Sequence, residues 1–337
     1  MACRVSYRPG EAAIMTEQNQ AQPLKFVVFA ASIVVIPVLN QLLQQQQLAG
    51  VILNSKVNND LYQLEQQLHQ ANIPYIRYDP AQLEPVAQQL EAWQTDISLL
   101  YTFSNILPAS ILNKAKLGTY NIHASSLPKY RGAMPLYWQI RNGETDSQLS
   151  LIKAELVADS GDIVMQVPLP IHPLDTQQNL GASVATQAVL LIEQFIAALA
   201  NDTLAPKPQT GDISYAPRVN QQPPLIHWQQ MSAQDICCAA RAGNPILNGI
   251  GMLWKSAGQQ SVIGLLQATA IDFPNYGVPP GTVLHVGEPE GVIVATKQGS
   301  LRLDVIVVAE GVYSGLAFAN RFKLDAGVQF LSPDNLQ

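Results

Sequence analysis

The sequence predicts two domains: a larger α/β domain built on a mostly parallel sheet, then a smaller all-β domain that closes, fully or in part, into a barrel. Three observations carry this. Short apolar runs alternate with segments of helical period from Leu24 to Tyr101, prolines crowd a seam after Ala200, and β-like runs dominate from Ile250 onward. Alternation of strands and helices implies parallel strands joined by crossover helices. A chain of 337 residues also exceeds the usual span of one core.

The first domain opens with a strand at 26–29 and a helix over about 34–45, whose glutamine run at 44–47 reads as a solvated helix end. A strand at 51–53, a helix near 61–70, a strand at 75–76, a helix near 81–93 and a strand at 97–101 continue the pattern. In open sheets of this kind, ligands bind beyond the carboxyl ends of the strands. The apolar-to-polar change between Leu117 and Tyr120 puts Asn121 and His123 at such an end. Pro206, Pro208, Pro217, Pro223 and Pro224 mark a linker at 203–223, between domains at 23–202 and 224–331. Ser232, three residues before Asp235, predicts a helix start, with Ile236 and Ala240 on one face. Runs at 250–254, 262–270, 282–286, 292–295 and 301–308 supply the strands of a small barrel. Residues 1–22 read as a disordered tail, 332–337 as a short C-terminal tail, and Met15 as a candidate true start.

Hydrophobic residues make up 47% of the chain and charged ones 13%, the balance of a folded protein with a sizeable core. A formal net charge of −6 argues against a general polyanion-binding surface. Cys3, Cys237 and Cys238 offer neither an even disulfide framework nor C-x-x-C spacing, so a reducing cytoplasm is the expected setting. The apolar stretch 26–39 is too short for a membrane span and carries Pro37, and no signal peptide precedes it. No membrane partner is expected. Neither is a metal, because His69, His172, His227 and His285 lack the paired spacing that puts two ligands on one face. There is no G-x-G-x-x-G and no Walker A sequence, which leaves nucleotide-phosphate binding without support.

The most informative residues are Asn121-Ile122-His123-Ala124-Ser125-Ser126-Leu127-Pro128-Lys129-Tyr130-Arg131-Gly132, followed by Asp159-Ser160-Gly161-Asp162. Two positions apart on a strand, Asn121 and His123 face the same way. An amide, an imidazole and a carboxylate can together polarise a carbonyl oxygen and accept a proton from an attacking amine. Each also has an ordinary reading alone: Asn121 as a turn residue, His123 as a satisfied core histidine, Asp-Ser-Gly-Asp as a loop with Gly161 supplying positive φ. Leu127-Pro128 is expected to set the loop's shape. Ser125 is expected to hydrogen-bond within that loop, since no G-x-S-x-G elbow occurs in the chain. For Arg131 two roles stay open, binding substrate anions or bonding backbone carbonyls.

In content and separation these two blocks resemble the signature of the methionyl-tRNA formyltransferase family. Trp228, Asn244-Pro245 and Pro280-Gly281-Thr282 are similar to landmarks of that family's second domain, so the likeness runs from about residue 24 to 325. The resemblance implies a Rossmann-like formyltransferase domain, an OB-like β-barrel domain and 10-formyltetrahydrofolate as formyl donor. It places the functional triad on Asn121, His123 and Asp159 and leaves Asp162 as a loop or capping residue. It also implies that Phe103, Ser104, Ile106 and Leu107, across from Val157 and Ala158, form a slot for the pterin ring, where the plain alternative is core packing.

Three departures from the family bear on the ligands. Ala30-Ala31-Ser32 stands where the family usually has Gly-Thr-Pro, so close ligand approach to that backbone is less assured. After the second strand, Asn54-Ser55-Lys56-Val57-Asn58-Asn59-Asp60 runs almost directly into a helix, where the family carries a long basic loop used on tRNA. From residue 224 onward six basic residues meet eight acidic ones, the reverse of a tRNA-gripping surface. The sequence reading is therefore a cytoplasmic 10-formyltetrahydrofolate-dependent N-formyltransferase acting on a primary amine of a small molecule, such as an amino sugar nucleotide or an amino-acid-derived metabolite. Methionyl-tRNA formyltransferase is the alternative. A hydrolase that gives the formyl group to water and a folate-binding protein without turnover are further ones.

Overall fold

The computed structural model describes residues 23–55, 59–220, 222–256 and 259–333. The tail expected at 1–22, with Cys3 and Met15, lies outside the described residues, as do residues 334–337 and 56–58. The first sheet contains β1 (Phe26–Ala30), β2 (Leu48–Leu53), β3 (Tyr75–Arg77), β4 (Ile97–Tyr101), β5 (Thr119–His123), β6 (Asp146–Lys153) and β7 (Ile163–Pro170), in the order β3-β2-β1-β4-β5-β6-β7. The first five run parallel, and β6 and β7 extend the sheet antiparallel. β1 and β4 are buried at every position, as befits central strands covered on both faces. Alternation divides β1 between two cores: Phe26, Val28 and Ala30 enter one, Val27 and Phe29 the other.

A 3₁₀ turn at Ile33–Val35, capped by the Ser32 hydroxyl on Val34 N at 3.3 Å, leads into α1 (Ile36–Gln44). α2 (Asn59–Gln70) buries Leu61, Leu64 and Leu68 at helical spacing. α3 (Glu84–Ala92) begins later than the sequence expectation of residue 81. Asp79 Oδ1 accepts the Ala81 amide at 2.9 Å and folds this stretch into a turn, and Pro85 suits only a first helical turn. α4 (Ala109–Leu112) and α5 (Pro135–Arg141) flank β5 in sequence, and α6 (Gln177–Ala200) follows the sheet. α6 is long and apolar enough to cross a membrane by length and composition alone. Its row Leu180, Val184, Ala188, Leu191, Ile192 and Phe195 is instead buried against the sheet, which makes it a core helix.

The proline-rich seam is tied down along much of its length. Lys207 exchanges both backbone hydrogen bonds with Ile163, at 2.8 and 2.9 Å, and so borders the outer strand β7. Further on, Ala216 N donates to Arg131 O at 2.7 Å and Met134 N donates to Ala216 O at 3.0 Å. Prolines keep this segment from folding into a helix, so its backbone groups find partners on the larger domain.

The second unit starts with α7 (Ala233–Gly243), where Ser232 and Asp235 form a reciprocal capping box. β8 (Ile250–Ser256), β9 (Gln259–Ile271), β10 (Val283–Gly287), β11 (Gly291–Ala295), β12 (Ser300–Val308) and β13 (Gly311–Ser314) make an antiparallel sheet, and α8 (Gly315–Phe322) follows it. Residues 327–331 join the two edges: Val283 N donates to Val328 O at 2.8 Å and Leu331 N to Leu253 O at 3.2 Å. Trp228, Phe318 and Phe330 fill the interior. α7 docks on the larger unit through Arg241, a buried guanidinium whose Nη1 donates to the carbonyls of His172 and Asp175 at 3.3 and 2.9 Å.

Phe195 on α6 meets Tyr120 of β5 edge-on at 4.8 Å. Phe195→Ala should destabilise the protein by about 3–5 kcal/mol, read as a lower urea midpoint with an unchanged slope.

Candidate active site

The site forms where β5 ends. Tyr120 and Ile122 belong to the main core, and Asn121 and His123, with Ile122 between them, line a cavity of about 520 Å³. Asp159 reaches them from the loop between β6 and β7. Its Oδ1 accepts from Asn121 Nδ2 at 2.9 Å and lies 3.5 Å from His123 Nδ1, while its Oδ2 accepts from Gly132 N at 2.8 Å. Asp159 holds φ at +54°, a left-handed conformation that a non-glycine residue keeps only when its surroundings enforce it.

The loop after β5 is shaped by its own hydrogen bonds. Ser125 Oγ donates to Lys129 O at 2.7 Å, and Ser150 Oγ donates to Ser125 O at the same distance. Tyr130, also left-handed, donates its hydroxyl to Glu144 Oε1 at 2.6 Å. Burial first, and then Glu144, pushes this phenol up to about 12. Anchored in this way, Tyr130 turns its carbonyl oxygen toward His123 Nε2, 2.8 Å away. Gly132 has φ of +120°, and a Cβ there would meet Ala216 O at 2.9 Å, so only glycine lets the two chains approach.

The Tyr130 contact settles how His123 can act. A carbonyl oxygen only accepts, so the ring nitrogen facing it must carry the hydrogen. Neutral His123 therefore presents a lone pair at Nδ1. A ring N–H on the Nδ1 side exists only once Nδ1 is protonated. Asn121 differs, because one Nδ2 hydrogen goes to Asp159 and a second remains.

The other wall comes from the segment after β4. Ser104, Ile106 and Leu107 line the cavity, and Ile106 is 63% exposed. Phe103 lines it too, but its ring packs edge-on against Phe29 and Tyr78, at 5.3 and 5.4 Å, so the residue serves core and cavity together. Across the cavity stands Ala158, whereas Val157 is 66% exposed and lies off the lining. Arg131 Nε and Nη2 donate to the side-chain oxygen of Gln209, at 3.2 and 2.7 Å, and not to backbone carbonyls. Asp162 is off the lining as well, and its carbonyl accepts from Lys153 N at 3.0 Å at the base of the hairpin.

Sequence reasoning missed Asn54 and Gln209 as parts of this site, and gave Gly132 no role of its own within the block that contains it. Asn54 is buried at the end of β2, donates Nδ2 to Ser104 Oγ at 2.9 Å and accepts from Asn105 Nδ2 at 2.8 Å. A polar residue closing the apolar run Leu48–Leu53 is a signal that could have found it. Gln209 left none, since its contacts depend on where the seam lies in space. Among the described residues, no three His, Cys, Asp or Glu side chains gather as a metal site.

A family model described as formyl transferase matches residues 24–196. The methionyl-tRNA formyltransferase of Synechococcus sp. (strain JA-3-3Ab) is 34% identical over 231 residues, which cover 67% of this chain and 68% of the relative. Two solved structures share the fold. An N-formyltransferase from Helicobacter canadensis, in complex with folinic acid and dTDP-3-aminofucose, has a TM-score of 0.58 at 18% identity over 86% of this chain and 100% of its own. HypX from Aquifex aeolicus, in complex with tetrahydrofolic acid, has a TM-score of 0.56 at 16% identity over 89% of this chain. This chain spans 48% of the length of HypX.

The two acidic residues of the loop can be told apart. Asp159→Asn puts an NH₂ where Asn121 Nδ2 or Gly132 N now finds an acceptor, so turnover should fall by about 10²-fold or more. Asp162→Asn should stay within a few-fold of wild type. Equal losses in steady-state assays would show that Asp159 has no special place.

Proposed function

Because the chain belongs to the formyl transferase family, we propose that its cavity passes a formyl group from 10-formyltetrahydrofolate to a primary amine, and that the amine is the α-amino group of methionyl-tRNA. The observation that carries the transfer chemistry is the one carboxylate, Asp159, shared by Asn121, His123 and the amide of Gly132.

The cavity suits such a donor. Its walls are mainly apolar side chains, Ile106 presents an open apolar surface, and Ser104 adds a polar group along the same segment, a lining suited to a flat heteroaromatic ring. A bound formyl-folate would supply an activated formyl carbon. Asn121 aims its remaining Nδ2 hydrogen at the oxygen on which negative charge builds. The Nδ1 lone pair of His123 takes the proton that the attacking amine releases. Asp159, 3.5 Å away, is the opposite charge that holds the resulting imidazolium, whose Nδ1–H would return the proton to the folate nitrogen as its bond to the formyl carbon breaks.

Two lines of support for the acceptor pull apart. The methionyl-tRNA reading is favoured by a relative of that name, 34% identical over two thirds of both chains. It outweighs the small-molecule amine put first from sequence alone. That second reading keeps its own support in the net charge of −6 and in the six basic against eight acidic residues from position 224 onward.

The full chain, 10-formyltetrahydrofolate and a panel of amines that includes methionyl-tRNA decide between them, with products identified by mass. Formyl-methionyl-tRNA should form with a kcat/KM at least ~10-fold above that of any small amine, and its formation should weaken with salt. A small amine formylated more efficiently would restore the second reading. Release of free formate with every acceptor would indicate a hydrolase.

A further inference from the structure

We propose that Gln209, on the proline-rich segment outside the catalytic cavity, is a positioning residue that holds Asp159 in its working conformation. The inference rests on the formyl-transfer reading and concerns how that site is kept in register.

The Gln209 side chain uses its whole hydrogen-bonding capacity on the site's two loops. Nε2 donates to the carbonyls of Asp159 and Gly161, both at 2.8 Å, and Oε1 accepts from Arg131 Nε and Nη2 at 3.2 and 2.7 Å. An amide side chain has two donor hydrogens and two acceptor lone pairs, and all four are engaged. The bonds to 159 and 161 straddle Ser160 and fix the backbone on both sides of the turn. The backbone on either side of that turn is constrained: Asp159 lies at φ +54°, and a Cβ at Gly161 would fall 1.9 Å from Lys153 O. A left-handed aspartate persists only where several contacts enforce it. Its side chain is held by Asn121 and Gly132, and its main chain by Gln209.

Gln209 also ties this turn to the loop after β5 through Arg131, one residue before the Gly132 amide that grips Asp159 Oδ2. Five positions further on, Ser214 Oγ accepts from Tyr130 N at 2.9 Å, next to the carbonyl that faces His123. Gln209 and Ser214 therefore set the distance between the carboxylate and the groups that share it without lining the cavity themselves, whereas Arg218 further along the segment does line it.

Two variants of the full chain separate this role from simple packing. Gln209→Ala removes all four bonds. Gln209→Glu keeps an acceptor for Arg131 but turns both carbonyl contacts into oxygen facing oxygen. Both should lower kcat by ~10-fold or more, with the KM for 10-formyltetrahydrofolate within about threefold of wild type, since misplacing a catalytic group costs rate more than donor binding. Near-normal kcat in Gln209→Glu would show that only the Arg131 contact matters, and a raised KM at normal kcat would place the residue in donor binding. Either result overturns the proposal. Hydrogen exchange supplies a readout free of any assumed activity: in Gln209→Ala the Gly132 amide should exchange ~10-fold faster or more while β1 and β4 keep their protection. Unchanged exchange at Gly132 overturns the proposal, even if wild type formylates no acceptor tested, an outcome that would count against the functional reading alone.

Discussion

The site depends on one carboxylate. Asp159 lies on a hairpin turn, yet its two oxygens meet two side chains of β5, an amide and a ring, and a backbone amide of the loop that follows. A carboxylate has two oxygens and about four lone-pair directions, so it can serve three partners where a neutral amide could not. The surrounding backbone is arranged for this. Gly132 omits the side chain that would push Ala216 away, and Gly161 omits the one that would strike Lys153 O, which lets the hairpin fold tightly beneath its own loop.

Much of this was legible in the sequence where signals are local. The alternation from β1 to β4 and the start of α7 follow from periodicity and capping, and the block at residues 121–132 stands at a strand end as its polarity suggested. What escaped has physical reasons. The β6–β7 hairpin is antiparallel in a sheet expected to be mostly parallel, and only pairing with β5 fixes it. α6 is apolar around much of its circumference and carries little helical contrast, while β13 is four residues beside a turn. Asn54 and Gln209 act on partners some 50 positions away, and no window of local sequence contains both ends of such a contact.

The role of His123 follows from a neighbour rather than from its own identity. Seen as a residue type it could donate or accept at either nitrogen. The carbonyl of Tyr130 removes that choice, and Tyr130 points that carbonyl inward because its own ring is fixed to Glu144 and its backbone to Ser214. Charge counting likewise sees residue types and not their neighbours. Net charge sums over a surface on which many bases already face acids: Arg302 meets Asp304 at 2.6 Å and Arg321 meets Glu310 at 3.1 Å. Binding of a polyanion depends on local arrangement, which such a sum hides.

The tied-down proline segment changes what counts as a module in this chain. By composition, the larger unit ends near Ala200 and the segment beyond it looks like dispensable cable. In space, Lys207, Gln209, Ser214 and Ala216 complete the larger unit, and Trp138 Nε1 is bonded as far along as Pro217 O. Any recombination that exchanged the β-rich tail for another, in evolution or in the laboratory, would have to place its junction beyond Pro217. Cut at the compositional border, the graft would inherit a complete sheet and an unfinished catalyst.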